Sequence, residues 1–215
     1  MISLIISSLS LSFNIKRPYY YDRRIHNLGH LGFPGQIHAE GALLSTKIID
    51  RLRYNGINIR KEIMKEYKND KILDLCCGVG VSTMNNNIGI DTSPEMLKVA
   101  RRINKEQNTN KRFYLGNAEN FKPKQEFDIV SCMFAFHEMP LYAHNRIIEN
   151  ALKIAKREVI IVDIASNYKP KEIMLSGEPY LIDYMSTIDD TLSCFNKTVY
   201  IDEHVNIWKY KYNVY

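Results

Sequence analysis

The chain has 215 residues, 45% of them hydrophobic and 25% charged, with four cysteines and a net charge of +5. That balance suits one globular domain with a modest addition and excludes wholesale disorder or a collagen-like chain. Cys76, Cys77, Cys132 and Cys194 show no C-x-x-C pairing, which argues against a disulfide scaffold or a zinc ribbon and leads us to expect a reducing, cytoplasmic setting.

The first thirteen residues, MISLIISSLSLSF, are apolar and Ser-rich. They fall short of the roughly twenty apolar residues that span a bilayer. No positive charge precedes them and no A-x-A site follows, so a docked or frayed extension is expected ahead of an organelle-targeting segment. Residues 1–65 carry ten Lys/Arg against four Asp/Glu, while the remainder is nearly balanced. Such a patch could steer an anion, but without a Lys/Arg run or an RNA-binding signature a solvated helix face is the simpler reading.

Residues 18–41 read as a loop, with four glycines and three of the six histidines. Residues 39–54 then have helical spacing, with Leu43, Leu44, Ile48, Ile49 and Leu52 as an apolar stripe. Asn55-Gly56 breaks it, and Asn58 can cap a second short helix to residue 67. From Lys71 onward strands and helices alternate. Strands are expected at 72–76, 88–91, 112–116, 127–134 and 158–165, the last apolar throughout its centre, as a strand covered on both faces should be. Ser93-Pro94-Glu95 signals a helix start with a cap, Pro in the first turn and an early acid, and that helix should reach residue 107. A further helix is expected from Pro140 to residue 155, with Leu141, Ile147, Ile148, Ala151, Leu152 and Ile154 facing inward. Residues 169–195 read as helical, and 197–212 as a closing hairpin. The pattern predicts an α/β fold with a parallel sheet finished by an antiparallel ribbon.

In an open parallel sheet a ligand sits beyond the carboxyl ends of the strands. The first strand ends in Asp74-Leu75-Cys76-Cys77-Gly78-Val79-Gly80, where glycines let a ligand approach the backbone and the acid can orient a donor group. The second ends in Asp91, whose two oxygens can accept both hydroxyls of a ribose. A nicotinamide fingerprint fits poorly, because Gly78-Val79-Gly80-Val81-Ser82-Thr83 lacks the third glycine and Asp91 comes too early.

At these residues the chain resembles the class I S-adenosylmethionine-dependent methyltransferases, of the small-molecule type close to the quinone-methylating enzymes. The resemblance covers roughly residues 71–165 and implies a Rossmann-like, doubly wound seven-stranded sheet of order 3-2-1-4-5-7-6. It also implies S-adenosylmethionine as cofactor. In that family's first motif, D/E-x-G-x-G-x-G, Asp74, Gly78 and Gly80 match, while Cys76 stands at the first glycine; this loop would cradle the methionine part. GIDTSPEML (89–97) matches the second motif, so Asp91 and Thr92 would hold the ribose and Met96 the adenine. Asn117 stands where a third motif has an acid, next to Ala118, and either could meet the adenine edge. FDIVSCMFAFHEMP (127–140) resembles the fourth, with Met133 to His137 near the reacting methyl. Only ten residues separate Gly80 from Asp91, leaving Val81–Asn87 for a very short first helix.

Methyl transfer from a sulfonium needs an acceptor held in line. His137 is the candidate base, with bonding to a loop carbonyl as its structural alternative. His26, His30 and His38 could suggest a metal, but no nearby acid or Cys completes a ligand set, so none is expected. No N/D-P-P-Y, Pro-Cys pair or paired-Glu loop points to a nucleic-acid base or arginine as acceptor. A small-molecule acceptor is the default, with no stable nucleic-acid partner and no membrane span. RNA methylation through the basic N-terminal third, or a non-catalytic cofactor-binding scaffold, are the alternatives. Residues 68–215 would form the catalytic domain and 1–67 an extension, with 18–41 a lid in which Tyr19, Tyr20, Tyr21, His26, Phe33 and His38 surround the acceptor.

Overall fold

The computed structural model describes residues 18–212; the targeting question raised by residues 1–13 lies outside them. Seven strands form one sheet: β1 (Ile72–Leu75), β2 (Ile88–Asp91), β3 (Arg112–Leu115), β4 (Phe127–Met133), β5 (Ala155–Ile164), β6 (Asn196–Ile201) and β7 (Val205–Lys211). Their order is β3-β2-β1-β4-β5-β7-β6, with β1 to β5 mutually parallel and β7 antiparallel to both neighbours. Leu73 aligns with Ile88 on one side and Val130 on the other, which brings the ends of β1, β2 and β4 to one edge.

Helices cover both faces. α4 (Leu141–Ile154) and α6 (Leu181–Thr191) bury Ile147, Ala151, Leu181, Tyr184 and Ile188 in a core shared with Val130, Ile161 and Trp208. On the other face Ile59, Ile63 and Met64 of α2 (Ile59–Met64), followed by Tyr67, pack on Ile72, Ile129, Ile160 and Ile207. The caps work as expected: Asn58 Oδ1 accepts from the Lys61 amide at 3.0 Å, and Ser93 Oγ accepts from the Met96 amide at 3.1 Å to start α3 (Pro94–Glu106). No helix among the described residues is long and apolar enough to cross a membrane.

Several expectations change. α1 spans Gly32–Arg53, so the loop at 18–41 ends at Leu31 and contains two 3-10 turns, Tyr19–Tyr21 and Ile25–Asn27. Gly35 permits the early start: a Cβ there would lie 2.4 Å from the His30 carbonyl carbon. Of the apolar stripe, Leu44 is 61% and Leu52 74% exposed, with Ile48 and Ile49 also exposed. α1 touches α3 through Ala39, Ala42 and Leu43 instead. Leu141, expected inward, is exposed.

No helix forms over residues 81–87. Side chains take the bonds a helix would need elsewhere. Asn87 Oδ1 accepts from the Ile72 amide at 2.7 Å, and Asn85 Oδ1 from the Asn110 amide at 2.6 Å. β5 begins three residues early, directly after α4. The region 169–195 divides into α5 (Glu172–Gly177) and α6, broken at Glu178.

Candidate functional site

Beyond the carboxyl ends of β1, β2, β4 and β5 lies a cleft of about 760 Å³. Eight of the ten residues proposed to hold the cofactor line it: Cys76, Gly78, Asp91, Thr92, Met96, Asn117, Ala118 and Met133. Asp74 and Gly80 do not, and each has a structural job.

Asp74 is buried at the end of β1. Its Oδ2 accepts from Ser82 Oγ at 2.7 Å and Thr83 Oγ1 at 2.6 Å, and its Oδ1 from Ser131 Oγ at 3.2 Å. Burial pushes its pKa up, against the opposing effect of these hydroxyls. The carboxylate thus ties residues 82–83 to the sheet where no first helix forms, and it does not line the cleft. Gly80, at φ +76°, leaves room for Phe113: a Cβ there would lie 2.6 Å from the ring. Gly78, at φ +51° with open space where its Cβ would be, faces the cleft. Cys76 adopts φ +54° although it is not glycine, so the backbone keeps the left-handed turn despite the substitution.

Asp91 closes β2. Its Oδ2 accepts from the Gly78 amide and its Oδ1 from the Ser93 amide, both at 2.8 Å. Two backbone donors leave lone pairs on each oxygen for a further donor. Burial pushes its pKa up, opposed by those amides. Asn117 Oδ1 accepts from the Glu119 amide at 2.9 Å, which caps its own turn and leaves one lone pair for a further donor.

At the β4 end Phe134 sits at φ +55°, an uncommon conformation for a bulky residue, with the Arg60 guanidinium 4.2 Å above its ring. The fully buried Asp163 of β5 accepts from the Ala135 amide at 3.1 Å and the Phe136 amide at 2.7 Å through Oδ2. Its Oδ1 meets His137 Nδ1 at 2.6 Å. Burial alone would lower the His137 pKa, but the Asp163 carboxylate overrides it and raises the imidazole to about 10. A carboxylate so placed favours the protonated ring, which argues against the expected role of His137 as a base titrating near neutral pH.

The N-terminal segment reaches the cleft. Tyr19, Tyr20, His26, His30 and His38 line it, whereas Phe33 is exposed and, like Tyr21, lies outside it. Contacts to the second motif anchor this segment: Ser93 Oγ donates to the His30 carbonyl at 2.8 Å, and the Gly32 amide donates to Glu95 Oε1 at 2.7 Å. The histidine trio is also not without acids. Glu138 and Glu178, distant in sequence, close on His26 at 2.9 and 3.1 Å. Glu138 was read from the sequence as an orienting or capping residue; Glu178 and Asp163 are the groups the sequence reading missed, and only the order of strands and helices brings them together.

Residues 72–158 match the family profile described as "Methyltransferase domain". Over 127 residues the chain is 35% identical to an uncharacterized protein of Methanocaldococcus jannaschii, covering 57% of this chain and 48% of that protein. The chain thus spans about half the length of that curated relative. Among solved structures it resembles magnesium protoporphyrin IX methyltransferase from Synechocystis PCC 6803 with bound SAH, with a TM-score of 0.53 and 16% identity over 87% of this chain and 90% of that one. It also resembles a SAM dependent methyltransferase from Aquifex aeolicus, with a TM-score of 0.54 and 16% identity over 70% and 87% of the two chains. At such identities the likeness is one of fold.

Proposed function

We propose that this chain, whose residues 72–158 match the methyltransferase domain profile, transfers a methyl group from S-adenosylmethionine to a small organic acceptor. The observation that carries the reading is the pairing of Asp91 with the Gly78 amide at the mouth of the cleft. That contact brings a carboxylate able to accept ribose hydroxyls against a backbone open to close approach.

The cofactor supplies an activated methyl on a sulfonium. Asp91 and Thr92 would hold its ribose, Met96 and Ala118 would pack its base, and residues 76–78 would receive its methionine part. Asp74 and Gly80 support those contacts from behind, while Asn117 lines the cleft beside Ala118. Asp163 fixes the ring of His137 at the cleft wall, so the protein's share of the work is positioning and charge rather than proton abstraction.

Residues 68–215 act as the methyltransferase domain and 1–67 as its extension, with Tyr19, Tyr20 and His30 forming the acceptor-side wall. An aromatic wall suits a small, partly apolar acceptor better than a phosphate backbone. Four unpaired thiols are consistent with a cytoplasmic location. The acceptor class is tested by incubating the protein with methyl-labelled cofactor, a small-metabolite extract and, separately, total RNA. Label is expected in the small-molecule fraction; label confined to RNA would overturn the acceptor assignment.

A further inference from the structure

His26, Glu138 and Glu178 come from three separate segments: the turn Ile25–Asn27, the turn Phe136–Glu138, and the break after α5. A missing side chain helps them meet. A Cβ on Gly177 would lie 3.3 Å from the His26 Cα, so glycine there lets the Glu178 backbone approach. One donor atom from each residue lies within 4.8 Å of those of the other two.

The partners of the two acids are unusual. Glu138 meets His26 at 2.9 Å, His30 at 3.7 Å and His137 at 3.9 Å, and Glu178 meets His26 at 3.1 Å. No lysine or arginine among the described residues pairs with either acid. Glu178 is 6% exposed and its Oε2 has no hydrogen-bond partner. Leaving a buried carboxylate oxygen unpaired is costly unless something else meets it. The Nδ1 of His137 is held by Asp163, the arrangement that orients an imidazole toward a metal through its other nitrogen.

We propose that His26, Glu138 and Glu178 form a binding site for a divalent first-row transition-metal ion, with His137 Nε2 as an adjacent fourth donor. Two carboxylates with imidazoles favour a borderline ion such as Zn²⁺ over Mg²⁺ or Ca²⁺, which prefer all-oxygen shells. The ion competes with protons for the imidazoles, so binding releases protons. The site opens into the same cleft, yet ion binding does not depend on the methyl-transfer reading.

The test is a Co²⁺ titration of the full-length protein after chelator treatment, read by visible d–d absorption. Saturation at about one ion per chain is expected. Glu178→Gln and His26→Gln should each weaken binding about tenfold or more, while Cys194→Ser, at an exposed thiol, should leave it unchanged. Zn²⁺ should displace Co²⁺, and Mg²⁺ in excess should not. No saturable binding by wild-type protein with a native circular dichroism spectrum would overturn the proposal. So would binding that survives both substitutions, or a thiolate charge-transfer band lost in Cys194→Ser. Binding of S-adenosylhomocysteine by the metal-free protein is a separate measurement, so failure of one reading leaves the other standing.

Discussion

Asp74 illustrates how a residue legible in a motif can also hold the fold together. The spacing from Asp74 to Gly80 was enough to expect a ligand-binding loop, but not to see that three hydroxyls from residues 82, 83 and 131 donate to the carboxylate. Two of these hydroxyls lie just beyond the motif and the third comes from β4, so their direction is set by the sheet. Replacing Asp74 with Ala strands them in a buried place and should destabilise the fold by about 2–3 kcal/mol in urea unfolding; a loss under about 0.5 kcal/mol would contradict the anchoring role. His144 gives a pH test of the core. It is fully buried, Nε2–H donates to the Phe136 carbonyl at 2.7 Å, and Nδ1 has no partner. Burial therefore holds its pKa below the usual value. A depressed folded pKa gives stability that is complete above the unfolded value of about 6.5 and is lost as pH falls toward the folded one. Wild-type stability should fall relative to His144→Gln between pH 7 and 5, by at most about 1.4 kcal/mol per pH unit. A constant difference would mean that His144 does not titrate on unfolding.

Helix α1 marks the limit of periodicity as evidence. Its apolar spacing correctly gave a helix, but a stripe states only which residues share a face, not what covers that face. Ala39, Ala42 and Leu43 meet α3, while Leu44, Ile48 and Leu52 remain exposed. Leu44→Ser and Leu52→Lys should change unfolding free energy by less than about 0.5 kcal/mol, whereas Leu181→Ala in the core of α6 should cost about 2–5 kcal/mol. A large loss at Leu44 or Leu52 would show that the face is covered. The missing helix at 81–87 has a different cause. Three consecutive asparagines there bond to neighbouring strands and loops, and helical propensity does not register such competition.

At the scale of the molecule, sheet order and the gathering of the motifs at one edge of the sheet were readable because each motif is local: residues 74–80, 89–96, 115–118 and 133–137 each sit at one strand end. The cluster of Asp163, Glu178 and His26 was not, because these residues converge only through strand order and through the return of the N-terminal segment over the sheet. Every contact proposed for the cofactor turns on Asp91, which joins the first loop to the second strand. Isothermal titration of wild type and Asp91→Ala with S-adenosylhomocysteine therefore tests the central claim most directly. Wild type should bind, and the substitution should weaken binding by about 1.5–3 kcal/mol, the scale of hydrogen bonds to a charged group. Equal affinity of the two proteins, or no binding by folded wild type, would contradict the account.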